Sequence, residues 1–119
     1  MPDFTLPYSE RVRGFGAVRR LFSEGRGGFV YPFRYLVCPG AAEHTRVLFS
    51  VPKRNHKRAN RRNLLRRRAK EAYRLNKSLL AGTAPAVDMA IIYAVKDAAD
   101  YKTIENAVKR ILAKVAEGV

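Results

Sequence analysis

Residues 53–77, KRNHKRANRRNLLRRRAKEAYRLNK, hold twelve of the chain's 24 Lys and Arg, opposed by the single acid Glu71. The stretch carries +11 of a formal net charge of +14. Cations at this density repel one another unless anions cover them, and the commonest anion of that density is a phosphate backbone. Arg62, Arg66 and Lys70 recur at helical i,i+4 spacing, so they stand about 6 Å apart on one ridge, close to the phosphate repeat of a nucleic-acid strand. Arg outnumbers Lys here, and its planar fork suits bidentate phosphate contacts. Asn63 is uncharged among them and both donates and accepts, which suits a ribose hydroxyl, a base edge or a backbone group. The candidate phosphate-binding set is Lys53, Arg54, Lys57, Arg58, Arg61, Arg62, Asn63, Arg66, Arg67, Lys70 and Arg74. An ordinary solvated helix face mixes the signs of its charges; this one does not.

Other chemistry is poorly represented. Ser50 has no paired His and Asp in view, and the ten acids are scattered without a metal-binding pair. GRGG at 25–28 lacks the Lys-Ser/Thr of a phosphate-binding loop. His44 and His56 have no Cys or carboxylate partners at metal-ligand spacing, so no metal site and no catalytic residue are assigned to this chain. Cys38 is the only cysteine and lies in an apolar run, which reads as a buried structural thiol.

The elements that must position the basic stretch follow from periodicity. At 119 residues and 47% hydrophobic composition the chain reads as one nucleic-acid-binding domain over 1–119, not a disordered arm. No apolar run approaches the roughly 20 residues that span a bilayer, and MPDFTLPYSE lacks the pattern of a signal peptide, so the expected compartment is the cytoplasm. Phe15, Val18, Leu21 and Phe22 predict a first helix over about 15–23, closed by Gly25, after which GRGG breaks the chain. FVYPFRYLVC (29–38) predicts a strand at an edge or beginning after Pro32. TRVLFSV (45–51) predicts a second strand with Val47, Phe49 and Val51 on one face, and the short link between the two suggests an antiparallel hairpin.

The long helix is expected to begin near Lys57 to Ala59. Its periodicity places Leu64, Leu65, Ala69, Ala72, Leu75 and Leu79 in one apolar arc. Arg62, Arg66, Lys70, Tyr73 and Lys77 fall on the basic side, continued by Asn63, Arg67 and Arg74. Arg68 lies inside the apolar arc, where it must snorkel or find an acid. VDMAIIYAV (87–95) predicts a strand buried on both faces. A last helix, capped by Asp100 or Thr103, carries the stripe Ile104, Ala107, Val108, Ile111, Leu112 and Val115 and ends at Gly118. The order α-β-β-α-β-α describes an α+β fold, a two-layer α/β sandwich with helices on a small mixed sheet. Phe29, Tyr31, Phe33 and Tyr35 alternate, so in one strand they share a side, either as half of the core or as stacking surfaces for unpaired bases.

The stretch SVPKRNHKRANRRNLLRRRAKEAYRLNK resembles the signature of the bacterial ribonuclease P protein subunit family: a strand, a basic turn, then Arg-Asn-x-x-Lys-Arg-x-x-Arg on a helix. The pattern falls on Arg62, Asn63, Arg66, Arg67 and Lys70, with Arg66 where Lys is usual and Lys70 where Arg is usual. Leu21-Phe22 followed by Gly25 matches the family's first helix, and the likeness extends over most of the chain. It implies a left-handed β-α-β crossover around the basic helix. It implies as partners a catalytic ribonuclease P RNA, which cleaves precursor tRNA with RNA-bound Mg²⁺, and the precursor tRNA, whose single-stranded 5′ leader a cleft on the protein receives. The protein alone would bind no cofactor. Phe22 matches a cleft-lining aromatic, the companion position one turn earlier falls on Val18, and Tyr31 and Phe33 join Phe22 as leader-binding candidates. Two other readings of the basic face are a structural protein on ribosomal RNA and a DNA-binding regulator; neither a compact helical reading motif nor a dimer partner supports the second, so neither DNA nor membrane is an expected partner.

Overall fold

The computed structural model describes residues 11, 12, 15–40, 45–80 and 86–117. Its elements are helix α1 (Phe15–Glu24), strands β1 (Arg26–Val30), β2 (Phe33–Pro39) and β3 (Arg46–Ser50), helix α2 (Ala59–Asn76) with a short 3₁₀ extension (Lys77–Leu80), strand β4 (Val87–Tyr93) and helix α3 (Tyr101–Ala116). The sheet runs β1-β2-β4-β3. β4 is the apolar strand that the sequence marks as buried on both faces, and it lies inside the sheet, antiparallel to β2 and parallel to β3. The sheet is therefore mixed, as expected.

Two local expectations need correction. β2 and β3 do not pair as a hairpin, because β4 inserts between them. A strand apolar on both faces gains most in an interior position, and that long-range gain outweighs the short 40–45 link. The break expected at GRGG is instead β1, which pairs antiparallel with β2 from Arg26↔Val37 to Val30↔Phe33. Glycine depletes strand propensity and hides the strand. At Gly27 it is required: a Cβ there would stand 1.9 Å from the Tyr35 carbonyl oxygen. β2 does begin just after Pro32, whose peptide bond with Tyr31 is cis.

Alternation along the strands divides the apolar residues between two faces. On one face Phe33, Tyr35, Val37, Val47, Phe49, Met89, Ile91 and Tyr93 pack against Leu65, Ala69, Ala72 and Tyr73 of α2 and the whole expected stripe of α3. This is the two-layer sandwich. On the other face Leu36, Cys38 and Ala90 pack with Leu21 of α1. Cys38 is buried there, and burial raises its thiol pKa. Beside it Asp88, 1% exposed, accepts from Arg46 Nε at 2.9 Å and Nη2 at 2.7 Å. That bidentate bond and the adjacent charge hold the Arg46 guanidinium protonated above its ordinary range. Residues 11 and 12 run along β3, with Val12 N–H donating to the Val47 carbonyl at 3.2 Å.

The termini of α3 match local chemistry: Asp100 is the N-cap and accepts from Thr103 N–H at 2.9 Å, a bond that lowers its carboxyl pKa. Gly118, the expected stop, lies outside the described residues. In α2 the buried arc is rotated from the expected one. Tyr73, placed on the basic side by periodicity, is 2% exposed and meets Phe49 edge-on at 5.8 Å. Leu64 and Leu75 are exposed at 37% and 54%. The helix turns its Leu65–Tyr73 side inward because β3 presents Phe49 there and α3 closes the other flank. Arg68 finds a carbonyl instead of an acid, donating from Nη1 to Ala99 O at 2.8 Å.

This phase is testable. Leu65→Ala is expected to cost about 2–5 kcal/mol of unfolding free energy, and Leu64→Ala or Leu75→Ala no more than about 0.5 kcal/mol, read from urea midpoints. The Asp100 cap gives a second test. Its depressed carboxyl pKa means that the stabilisation is present above the ordinary carboxylate value and fades as pH falls through the folded value. Asp100→Ala should therefore melt below wild type near neutral pH, and the gap should close in strong acid.

Candidate nucleic-acid interface

The basic residues are carried by two connected pieces, the loop 52–58 and the exposed sides of α2. The loop starts with a turn in which the Pro52 carbonyl accepts from Asn55 N–H at 3.1 Å and His56 N–H at 3.3 Å. His56 then turns inward and is 2% exposed. Its Nε2 donates to the Val95 carbonyl at 2.8 Å, and its ring meets Tyr93 edge-on at 5.2 Å. The sequence offers His56 only as a poor metal ligand. Its position as a peg that fixes the loop depends on contacts with residues about forty positions away, and nothing local signals it. With His56 pinned, Lys53, Arg54, Lys57 and Arg58 project from the loop as exposed cations.

The signature residues on α2 differ in what they have left to offer a ligand. Arg62 is half-buried, and its Nη1 donates to the carbonyls of His56 at 3.0 Å and Lys57 at 2.8 Å. It splints the loop to the first turn of the helix, so part of its donor fork is used within the protein. Asn63 accepts from Arg66 Nη1 at 3.1 Å through Oδ1, which aims that guanidinium along the helix. Arg74 pairs with Glu71, Nη2 to Oε1 at 2.7 Å, so the one acid of the stretch answers the most C-terminal of these arginines. Arg61 and Arg67 are exposed.

Lys70 sits at the crowded centre of this face. Burial pushes its ammonium below the ordinary range, and Arg11 and Arg66 push the same way. No carboxylate among the described residues pairs with it. The N-terminus of α2 compounds the positive field, since Arg58 at the cap offers no side-chain acceptor and the first turn has no acid. The helix dipole thus adds to the side-chain charge instead of being offset by it.

The opposite face of the sheet carries a cleft of about 350 Å³ beside α1. Phe22 of α1, Arg34 of β2, Ile92 of β4 and Arg54 and Asn55 of the basic loop line it. Arg54 and Asn55 make the loop common to the cleft and to the approach to α2. Of the three aromatic candidates, only Phe22 lines this cleft, with its ring 51% exposed. Phe33 is 2% exposed and stacks edge-on against Tyr93 at 5.5 Å, so it is a core residue with no face for a base. Tyr31 lies in the β1–β2 turn and donates its hydroxyl to Asp97 Oδ2 at 3.2 Å, outside the cleft lining. Desolvation raises its pKa, and the neighbouring Asp97 carboxylate pushes the same way. The four alternating aromatics do not share a side, because they are divided among β1, the turn and β2. Arg34, which sequence reasoning passed over, stands in the cleft. Among the described residues no group of three or more His, Cys, Asp or Glu is placed to hold a metal ion, and no described helix is long and apolar enough to cross a membrane.

The chain as a whole is similar to known proteins. A family model described as Ribonuclease P matches residues 6–116. The chain is 32% identical over 125 residues to the ribonuclease P protein component of Porphyromonas gingivalis W83, spanning 99% of this chain and 91% of that one. It is 43% identical over 81 residues to the protein component from Chlorobaculum tepidum, spanning 63% and 53%. Its fold is similar to that of the Staphylococcus aureus RNase P protein, with a TM-score of 0.73 over 91% of this chain and 95% of that one at 23% identity. The Thermotoga maritima RNase P protein gives 0.69 over 86% and 97% at 26% identity.

Arg62 and Arg67 should separate on substitution. Arg62→Ala is expected to lower stability by about 1–2 kcal/mol through the lost loop splint, as well as weakening RNA binding. Arg67→Ala should leave the urea midpoint in place and reduce the slope of log affinity against log salt by about 1.

Proposed function

This chain belongs to the ribonuclease P protein family, and we propose that it is the protein subunit of a bacterial ribonuclease P, paired with a catalytic RNA in the 5′ maturation of tRNA. The exposed side of α2 and the loop 52–58 bind the catalytic RNA. The cleft beside α1 receives the single-stranded 5′ leader of the precursor tRNA. Hydrolysis is carried by the RNA with its own bound Mg²⁺; this chain binds no cofactor of its own and works in the cytoplasm.

The observation that carries this reading is the set of cations with no carboxylate to answer them, centred on Lys70 and running through Arg66, Arg67 and Arg61 to the loop, and continuous through Arg54 with the cleft. Two polyanions must approach closely for an RNA to cut an RNA, and their mutual repulsion is long-ranged at low salt. A protein that puts this density of guanidinium between them lowers that repulsion without touching the scissile bond. The side chains act by binding and screening. Arg62 and His56 hold the loop in place, Asn63 aims Arg66, and Phe22 offers a π-face at the cleft wall for an unpaired base.

Precursor-tRNA cleavage by a bacterial ribonuclease P RNA at low millimolar Mg²⁺, with and without the protein, tests the assignment. The expected result is restored cleavage at the mature 5′ end. Joint replacement of Arg62, Arg66 and Arg67 by Ala should weaken holoenzyme assembly and flatten its salt dependence. Tight RNA binding with no stimulation of cleavage would instead favour a structural role on ribosomal RNA.

A further inference from the structure

The strand registers align one row of side chains across the whole sheet on the face that α1 partly covers. Phe29 of β1 is opposite Arg34 of β2, Arg34 is opposite Ile92 of β4, and Ile92 is opposite Ser50 of β3. Paired residues in adjacent strands project to the same side, so these four form a continuous transverse track. At the ~4.8 Å spacing of neighbouring strands the track is about 14 Å long. Arg34, Ile92 and Ser50 of the track line the same cleft as Phe22 and Arg54 of the basic loop. The β1 end lies outside the cleft lining and is open: Phe29 is 58% exposed. Among the described residues the Arg34 guanidinium has no hydrogen-bond or ion-pair partner.

We propose that Phe29 and Arg34 form a subsite at the β1 edge that carries the leader path one nucleotide beyond Phe22, with a base stacked on Phe29 and an adjacent phosphate held by Arg34. The inference rests on the ribonuclease P reading of the cleft and specifies where the strand leaves it. The occupant is single-stranded RNA because the track presents two guanidiniums, Arg34 and Arg54, and no carboxylate, with exposed aromatic rings beside them. A peptide of ordinary composition gains little from that pairing, whereas a nucleotide supplies both a π-face and a phosphate. A duplex cannot lay a base on Phe29 without unpairing. The subsite is therefore insensitive to leader sequence but sensitive to leader length.

The test uses holoenzyme reconstituted from the full chain and a bacterial ribonuclease P RNA, with precursor tRNAs whose leaders are lengthened one nucleotide at a time. Wild type should gain affinity stepwise and then reach a plateau. Arg34→Ala and Phe29→Ala should each bring the plateau one step earlier and reduce affinity for long-leader substrate by roughly tenfold. Arg34→Lys should restore much of the loss and Phe29→Tyr nearly all of it. Arg34→Ala should also lower the salt slope for long-leader substrate by about 1, a readout that a purely structural role would not move. An unchanged plateau in both variants, or a loss independent of leader length, overturns the subsite alone. Wild-type protein that fails to restore cleavage at all overturns the ribonuclease P reading and the subsite with it.

Discussion

Everything in this fold hangs on β4 being buried on both faces. Its alternate residues serve two cores: Met89, Ile91 and Tyr93 face α2 and α3, while Asp88 and Ala90 face the layer under α1. β3 is its parallel neighbour, and parallel pairing requires the chain between them to cross over one face, which it does as α2. The basic helix is thereby fixed to one side of the sheet and the cleft floor to the other. The loop that starts the crossover is left where it can reach both. Removing the apolar demand of β4 would free β2 and β3 to pair as the hairpin that their short link favours, and the basic face and the cleft would lose their common frame.

Against that frame the charge of α2 is affordable. Like-charged neighbours at i,i+4 oppose a helix by about 0.2–0.5 kcal/mol each, so several such pairs amount to no more than about 2 kcal/mol. Burying one large side chain such as Leu65 or Tyr73 contributes about 1.5–3 kcal/mol. Packing wins, and the helix persists with its cations unanswered. Within α2 several guanidiniums are used inside the protein: Arg62 ties the loop to the helix, Arg68 ties α2 to the segment before α3, Arg66 bonds Asn63 and Arg74 pairs with Glu71. Arg61 and Arg67 stay exposed, as do the cations of the loop. Packing sets the shape here, and the charge is left free for the partner.

Periodicity and caps made most of the elements legible. α3, its Asp100 cap and its six-residue stripe, the Val47–Phe49–Val51 face of β3 and the double-sided burial of β4 all follow from local pattern. What the pattern could not show was pairing across distance. β1 was hidden by its glycines, of which Gly27 is required by the Tyr35 backbone, and the hairpin was displaced by a strand forty residues later. The phase of α2 was misplaced because apolar content alone set the arc, while Phe49 and α3 decide that Tyr73 goes inward and Leu64 outward. At the site, the identities of the cations were legible and their division of labour was not. That Arg62 braces and Asn63 aims, while Lys70 is crowded, depends on side-chain geometry that spacing cannot encode.

The two surfaces also differ in how they can discriminate. The α2 face is an array of charges on a rigid helix, and its Coulomb attraction falls away within about 8–10 Å at physiological salt. Such an array selects for phosphate density and shape, which structured RNA supplies and a short single strand does not. The cleft has fewer charges and exposed aromatic rings, and stacking is short-ranged and needs an unpaired base. Under the proposed function the two surfaces would not compete for the same RNA: folded RNA would satisfy the helix, and a flexible strand would satisfy the cleft. Their junction is the loop that His56 pins, which puts Arg54 and Asn55 in the cleft wall and leaves Lys57 and Arg58 exposed at the start of α2, so one buried imidazole positions the charged edge of both surfaces.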